Sequence, residues 1–190
     1  MEQADLVRHA IIVFEEIGIS YMVVGSIASG AYGEPRLTQD IDIVASLNRD
    51  DVWGLKRAFP EPDFYLSVEA MREAISSRTQ FNIIHPESGN KIDVMVSPMD
   101  TWGRTQLSRR QKIKLFPDLE GYAARPEDVM LSKMLYYREG GSEKHLRDIA
   151  GIVRVQADAL DRDYVAEWAE KLGVADIWHA VLRRLSRDQA

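Results

Sequence analysis

At 190 residues the chain has room for one sizeable core, or one core with a modest helical appendage. Its 45% hydrophobic and 28% charged content suggests neither disorder nor a membrane protein, and the lack of cysteine excludes disulfide frameworks and thiolate chemistry, leaving oxygen and imidazole ligands and pointing toward hard cations if metal is bound. A net charge of -6 argues against broad nucleic-acid binding, which rests on phosphate neutralisation by Lys and Arg. No apolar run approaches the length of a membrane span, and MEQADLVRHA lacks the basic-then-apolar pattern of a signal peptide, so a cytoplasmic protein is expected.

In chain order, Leu6, Val7, Ala10, Ile11, Phe14 and Ile17 recur at helical spacing over residues 4–17, with Gly18 at the stop. YMVVG reads as a short buried strand and SIASGAY as a small-residue helix with Ser26 as its N-cap. The loop GEPRLT leads into a second strand, QDIDIVAS. A helix over 50–59 is closed by Pro60 and Pro62, and another covers 68–77. QFNIIHPESGNKIDVMVS has the alternation and turn residues of a hairpin, with Asp93 a lone acid on the returning strand. RTQLSRRQKIK gathers Arg104, Arg109, Arg110, Lys112 and Lys114; it reads as a helix end passing into an edge strand, with a local nucleic-acid patch as the alternative. KIKLF and GYAAR are predicted as short strands. From Pro126 the texture is helical through PEDVMLSKMLYYREGG, SEKHLRDIAGIV, DYVAEWAEKLG and ADIWHAVLRRL. The plan is an α+β fold: a sheet with helices over residues 1–125 and a helical region over 126–190 packed on it.

Chemistry concentrates in residues 23–44. Alternate strand residues share a face, so Asp40 and Asp42 project together while Ile41 and Ile43 point away. Two carboxylates this close repel unless a cation sits between them. Magnesium answers that need, because it takes one or two carboxylates together with phosphate oxygens. Asp93, on a strand able to lie alongside, supplies a third ligand. Gly25 lets backbone approach a ligand closely, and the start of a helix at Gly25-Ser26 favours an anion. Arg36 and Thr38, in the loop entering the acidic strand, are candidates for the same phosphates. Each element has a plainer reading: Gly-Ser is a common cap, Asp93 an acid on the solvent face of a hairpin, and Arg36 a surface partner of Asp40. Trp53, Trp102, Trp168 and Trp178 are scattered and read as core, and His179 as structural.

VGS at 24–26, DID at 40–42 and IDV at 92–94 resemble the signature of the DNA polymerase beta-like nucleotidyltransferase superfamily. More narrowly, GSIASGAYGEPRLTQDID followed by RPEDVMLSKMLYYREGGSEKHLRDI resembles bacterial stand-alone enzymes of the AbiEii-type toxin and antibiotic nucleotidyltransferase groups, over roughly residues 20–150. The resemblance implies a nucleotidyltransferase-like mixed β-sheet flanked by helices, and transfer of a nucleoside monophosphate from a nucleoside triphosphate (NTP, ATP among them) to an acceptor hydroxyl. It also implies two magnesium ions, with Asp40 and Asp42 bridging both and Asp93 ligating the catalytic one and helping to deprotonate the acceptor. Lys133 is implied to reach the phosphates, against a plainer reading as a solvated lysine; His145 and Asp148 share a helix face, structural or lining the acceptor pocket. The acceptor is a small molecule such as an antibiotic or an RNA end, and a toxin would bring a cognate antitoxin protein as partner. Two other classes remain: a non-catalytic nucleotide- or partner-binding module of the same fold, and a metal-dependent nuclease, which would have no need of a triphosphate cradle at Gly25-Ser26.

Overall fold

A computed structural model describes residues 1–38 and 40–188; Gln39, at the head of the expected acidic strand, lies outside them. The chain divides into two compact units, one formed by Met1–Ile27 with Leu37–Ala124, the other by Ala28–Arg36 with the chain from Arg125 onward. The segment 28–36 therefore groups with the C-terminal helices although the sheet's strands flank it in sequence.

The first unit is built on a six-stranded mixed sheet. Its strands are β1 (Tyr21–Val23), β2 (Asp40–Ala45), β3 (Gln80–Ile84), β4 (Lys91–Val96), β5 (Gln111–Phe116) and β6 (Leu119–Ala123), in the order β3-β4-β2-β1-β6-β5. β3 and β4 form the expected antiparallel hairpin, and β5 and β6 a second, with β5 at the sheet edge. β2 and β4 run parallel and in register, Asp40 opposite Lys91 and Asp42 opposite Asp93. One face is closed off, with Ile41, Ile43, Ile83, Ile92 and Val94 fully buried. Each such side chain removed from water contributes about 1.5–3 kcal/mol, which pins the register, since a one-residue slip would exchange this set for carboxylates.

Helix α1 (Gln3–Ile17) buries Leu6, Val7, Ala10, Ile11 and Phe14 of the stripe read from the sequence, with Val13 in addition and Ile17 only half-buried, and contacts β4 and β6. α2 (Gly25–Tyr32) follows β1; it begins at Gly25, so Ser26 is its second residue and not its N-cap. α3 (Asp51–Ala58) packs on both α1 and α4 (Val68–Ser77), and α4 reaches β3 and β4. The Ser67 hydroxyl caps α4 by accepting from the Ala70 N–H. α5 (Thr101–Arg109), capped by Asp100, delivers the chain to β5. Trp53, expected in the core, is 54% exposed on α3, with the Arg72 guanidinium 5.7 Å from its ring.

Besides residues 28–36, the second unit contains α6 (Pro126–Gly140), α7 (Glu143–Gln156), α8 (Arg162–Leu172) and α9 (Ala175–Asp188). Met130, Leu131, Ile149, Ile152, Val165 and Trp178 form its core. The buried acids of the first turn of α6 are satisfied: Asp128 accepts from the Tyr164 hydroxyl at 2.7 Å and Glu127 from the Asp161 N–H. His179, expected to be structural, lies on the exposed side of α9. Residues 32–34 are strapped to α7 by Gln156 donating to the Tyr32 carbonyl and by backbone so close that a Cβ on Gly33 would lie 2.8 Å from the Ile152 nitrogen. Among the described residues no helix is long and apolar enough to cross a membrane.

Candidate active site

Sheet geometry sets the acidic face of the first unit. The alternation that buries Ile41, Ile43, Ile92 and Val94 turns Asp40, Asp42, Lys91 and Asp93 to the opposite, half-buried face, together with Asn82 from β3, whose register partner is Asp93. The start of α2 comes onto the same carboxylates. Gly25 has φ +62°, and a Cβ there would lie 2.0 Å from Asp42 Oδ2, so only glycine allows the backbone of the strand-to-helix turn this close. Ser26 follows, half-buried. Thr38 accepts the Asp40 N–H on its hydroxyl at 3.2 Å, and its carbonyl accepts from Gln3, which fixes the entry to β2.

The oxygens of Asp93 are already in use. Lys91 Nζ stands 3.0 and 2.9 Å from Oδ1 and Oδ2, and the Asn82 amide also donates to Oδ1. The Asp93 side chain is 16% exposed and that of Lys91 43%. The hydrogen-bonded carboxylate of Asp93 raises the Lys91 ammonium's pKa against the opposing effect of burial, with smaller contributions from the charges of Asp93, Asp40 and Asp42. One ammonium thus balances part of the charge of three acids. Among the described residues no three His, Cys, Asp or Glu side chains close into a ready metal-binding group. The three acids share a face, with Asp42 and Asp93 in register and Asp40 one step along.

Arg36 and Lys133 belong to the second unit and meet there at Asp148. Lys133 Nζ donates to Asp148 Oδ2 at 2.6 Å and Arg36 Nε to Oδ1 at 3.2 Å. Lys133 and Asp148 side chains are only 4% and 6% exposed, so Lys133 is no solvated surface lysine, and Arg36 pairs with Asp148, not Asp40. His145, one turn before Asp148, stacks on Tyr136 with ring centroids 5.9 Å apart, and its Nδ1 is buried without a hydrogen-bond partner. Burial lowers its pKa, the charges of Lys133 and Lys144 lower it further, and Asp148 opposes them.

The sequence matches no protein-family model and no curated protein. Solved structures do match. The solution structure of the antibiotic-resistance factor ANT(2'')-Ia superposes with a TM-score of 0.56 at 11% identity, spanning 98% of this chain and 96% of that one. The lincomycin-bound lincosamide antibiotic adenylyltransferase LnuA superposes at 0.54 and 13% identity over 82% of this chain and 98% of its own. An antigenic nucleotidyltransferase-like protein from Paracoccidioides brasiliensis gives 0.51 at 17% identity, over 92% and 90%. The chain has a nucleotidyltransferase fold.

On this nucleotidyltransferase fold the acidic face fits a hard dication in chemistry: its donors are all carboxylate oxygens, and Gly25 keeps the cradle open beside Asp42. Two residues that matter to it were not singled out from sequence, Lys91 and Asn82. Lys91 had a readable signal, since it lies two residues before Asp93 on one strand and must share its face. Asn82 had none, because its place beside Asp93 depends on hairpin register.

Proposed function

We propose that the protein is a magnesium-dependent nucleotidyltransferase that moves a nucleoside monophosphate from an NTP to an acceptor hydroxyl. The observation that carries this reading is the approach of Gly25 to Asp42, on the face where Asp93 stands in register with Asp42. That approach continues the β1–β2 pairing, in which the Val24 N–H donates to the Asp42 carbonyl at 2.9 Å, and it brings the start of an eight-residue helix to the carboxylates that would carry the metal. Asp40, Asp42 and Asp93 would hold magnesium, which when bound supplies charge neutralisation at the phosphates and at the attacking and departing oxygens. Gly25 and Ser26 present backbone and hydroxyl donors to the terminal phosphates, and Thr38 holds the strand entry beside them. The acceptor oxygen bonds to the α-phosphorus, the bond to pyrophosphate breaks, and Asp93 takes the hydroxyl proton. Arg36 and Lys133 are proposed as phosphate contacts, with Asp148 setting their positions.

A hydroxyl-bearing small molecule is the proposed acceptor. The net charge of -6 disfavours a polyanion, and two enzymes of like fold are an antibiotic-resistance factor and a lincosamide antibiotic adenylyltransferase. An RNA end, the acceptor for a toxin with a cognate antitoxin, would draw on the exposed Lys112 and Lys114 of edge strand β5. The test is incubation with each labelled NTP and magnesium, with a panel of hydroxylated antibiotics and an RNA pool, for native protein and Asp42→Ala. Label on a drug, lost in the variant, is the expected result; label on RNA selects the other acceptor. Transfer that survives Asp42→Ala overturns the assignment.

A further inference from the structure

Lys91 occupies the atoms a metal would need. Its ammonium contacts both oxygens of Asp93 at 3.0 and 2.9 Å, and its backbone pairs with Asp40, so the amine lies on the strip of sheet that joins the three acids. No other cation among the described residues pairs with Asp93. A dication added to the same half-buried carboxylate would stand close to the ammonium, and at separations near 3–4 Å their repulsion amounts to several kcal/mol at the effective dielectric of a protein surface unless a further anion lies between them. The arrangement also explains why three acids tolerate one face without closing into a metal-binding group: the fourth charge is built into the strand.

Resting on the nucleotidyltransferase reading above, we infer that Lys91 is a cation latch, a positioning residue that holds Asp93 in the metal-free enzyme and must be displaced for a divalent ion to bind. Lysine suits this part. It is a point charge on a flexible four-carbon stem, and with 43% of the side chain exposed it has somewhere to go. A dication arriving alone must break the Lys91–Asp93 pair and leaves the ammonium close to a second positive charge. A dication arriving with a triphosphate brings anionic oxygens that receive the ammonium as it leaves Asp93. Lys91 therefore makes metal binding conditional on nucleotide, and it suppresses occupancy by free metal.

The test uses manganese alone, without nucleotide, on the full chain, following free Mn2+ by electron paramagnetic resonance. Lys91→Met and Lys91→Gln, which keep most of the stem and lose the charge, are expected to bind Mn2+ roughly five- to tenfold more tightly than native protein, the span set by a partly exposed ion pair. Lys91→Arg keeps the charge and is expected to bind no more tightly than native. In EDTA the two neutral variants melt below native protein, since three carboxylates then face one another, and Mn2+ raises their melting temperature more than it raises the native one. Unchanged or weaker Mn2+ binding in both neutral variants overturns the latch. Asp42→Asn, measured alongside, separates the two levels: if it binds Mn2+ as native does, the metal assignment fails and the latch with it. If it loses Mn2+ while Lys91→Met gains nothing, the latch alone is wrong.

Discussion

Replacing Gly25 by alanine puts a methyl group 2.0 Å from Asp42 Oδ2, where ordinary contact begins at 3.4 Å. The carboxylate must retreat by more than about 1 Å, and a misplacement of that order in a catalytic constellation costs roughly 10²-fold in rate. Alanine at φ +62° also carries left-handed backbone strain of about 1–2 kcal/mol. For a chain of this size each kcal/mol is worth about 2–4 °C, so Gly25→Ala is expected to melt roughly 2–8 °C below native protein. Strain and steric contact are separated by Gly18→Ala. Gly18 has φ +81° and nothing within 4 Å of an added Cβ, so that variant carries the strain alone. Scanning calorimetry should give a loss in Gly25→Ala larger than in Gly18→Ala, since the first adds the contact to the strain, and label transfer from NTP should fall only in Gly25→Ala. If Gly25→Ala transfers at the native rate with a Gly18-like loss of stability, then the Gly25–Asp42 approach has no part in catalysis.

Asp148→Asn removes the buried carboxylate that Lys133 and Arg36 share and is expected to cost about 3–5 kcal/mol in urea unfolding, while Lys133→Met combined with Asp148→Leu costs less than the two single changes together, because the pair leaves as one. His145 has a pKa below its ordinary 6.5, so the folded protein binds that proton more weakly than the unfolded chain. Its contribution to stability is whole above 6.5 and is lost as pH falls from there toward the lowered value; His145→Gln should flatten the melting temperature across that acidic interval, and an unchanged slope would remove His145 from the account. Tyr21, the first residue of β1, accepts the Tyr122 N–H on its hydroxyl and donates to Glu15, so Tyr21→Phe is expected to cost about 1–3 kcal/mol, read by denaturant unfolding at constant slope.

Most elements were legible because their signals are local. The stripe of α1, the Ser67-capped α4 and the alternation of β3 and β4 are each set by residues within a few positions of one another, and the observed spans fall within a few residues of those expected. Trp53 was misread because a hydrophobic side chain in an amphipathic helix is assigned to core by habit, whereas the face it lies on is fixed by Val52 and Leu55, which are the residues of α3 that point inward. The grouping of 28–36 with the C-terminal helices was not legible at all. It depends on Gly33 and Gly151 letting two backbones touch and on Gln156 reaching Tyr32, contacts between residues more than a hundred positions apart.

The same division between local and distant pairing runs through the site. Asp40 and Asp42 declare themselves by spacing, and Asp93 by its place on a strand that the hairpin presents to β2. What spacing cannot supply is the partner of each charge. Arg36 and Lys133 were read as groups waiting for phosphate, yet both meet Asp148, which lies 112 positions from the first and 15 from the second. Asp93 was read as waiting for a metal, yet both its oxygens are held by Lys91. In each unit the protein satisfies with its own side chains the charges of residues proposed to meet a nucleotide and its metal. That follows from desolvation: a carboxylate or ammonium as buried as Asp93, Asp148 or Lys133 is unstable without an opposite charge, whether or not a ligand is present. On the proposed function, metal and nucleotide are expected to tighten each other's binding, because the metal must displace Lys91 from Asp93 and the phosphates receive it; titrations that show independent binding would count against that reading.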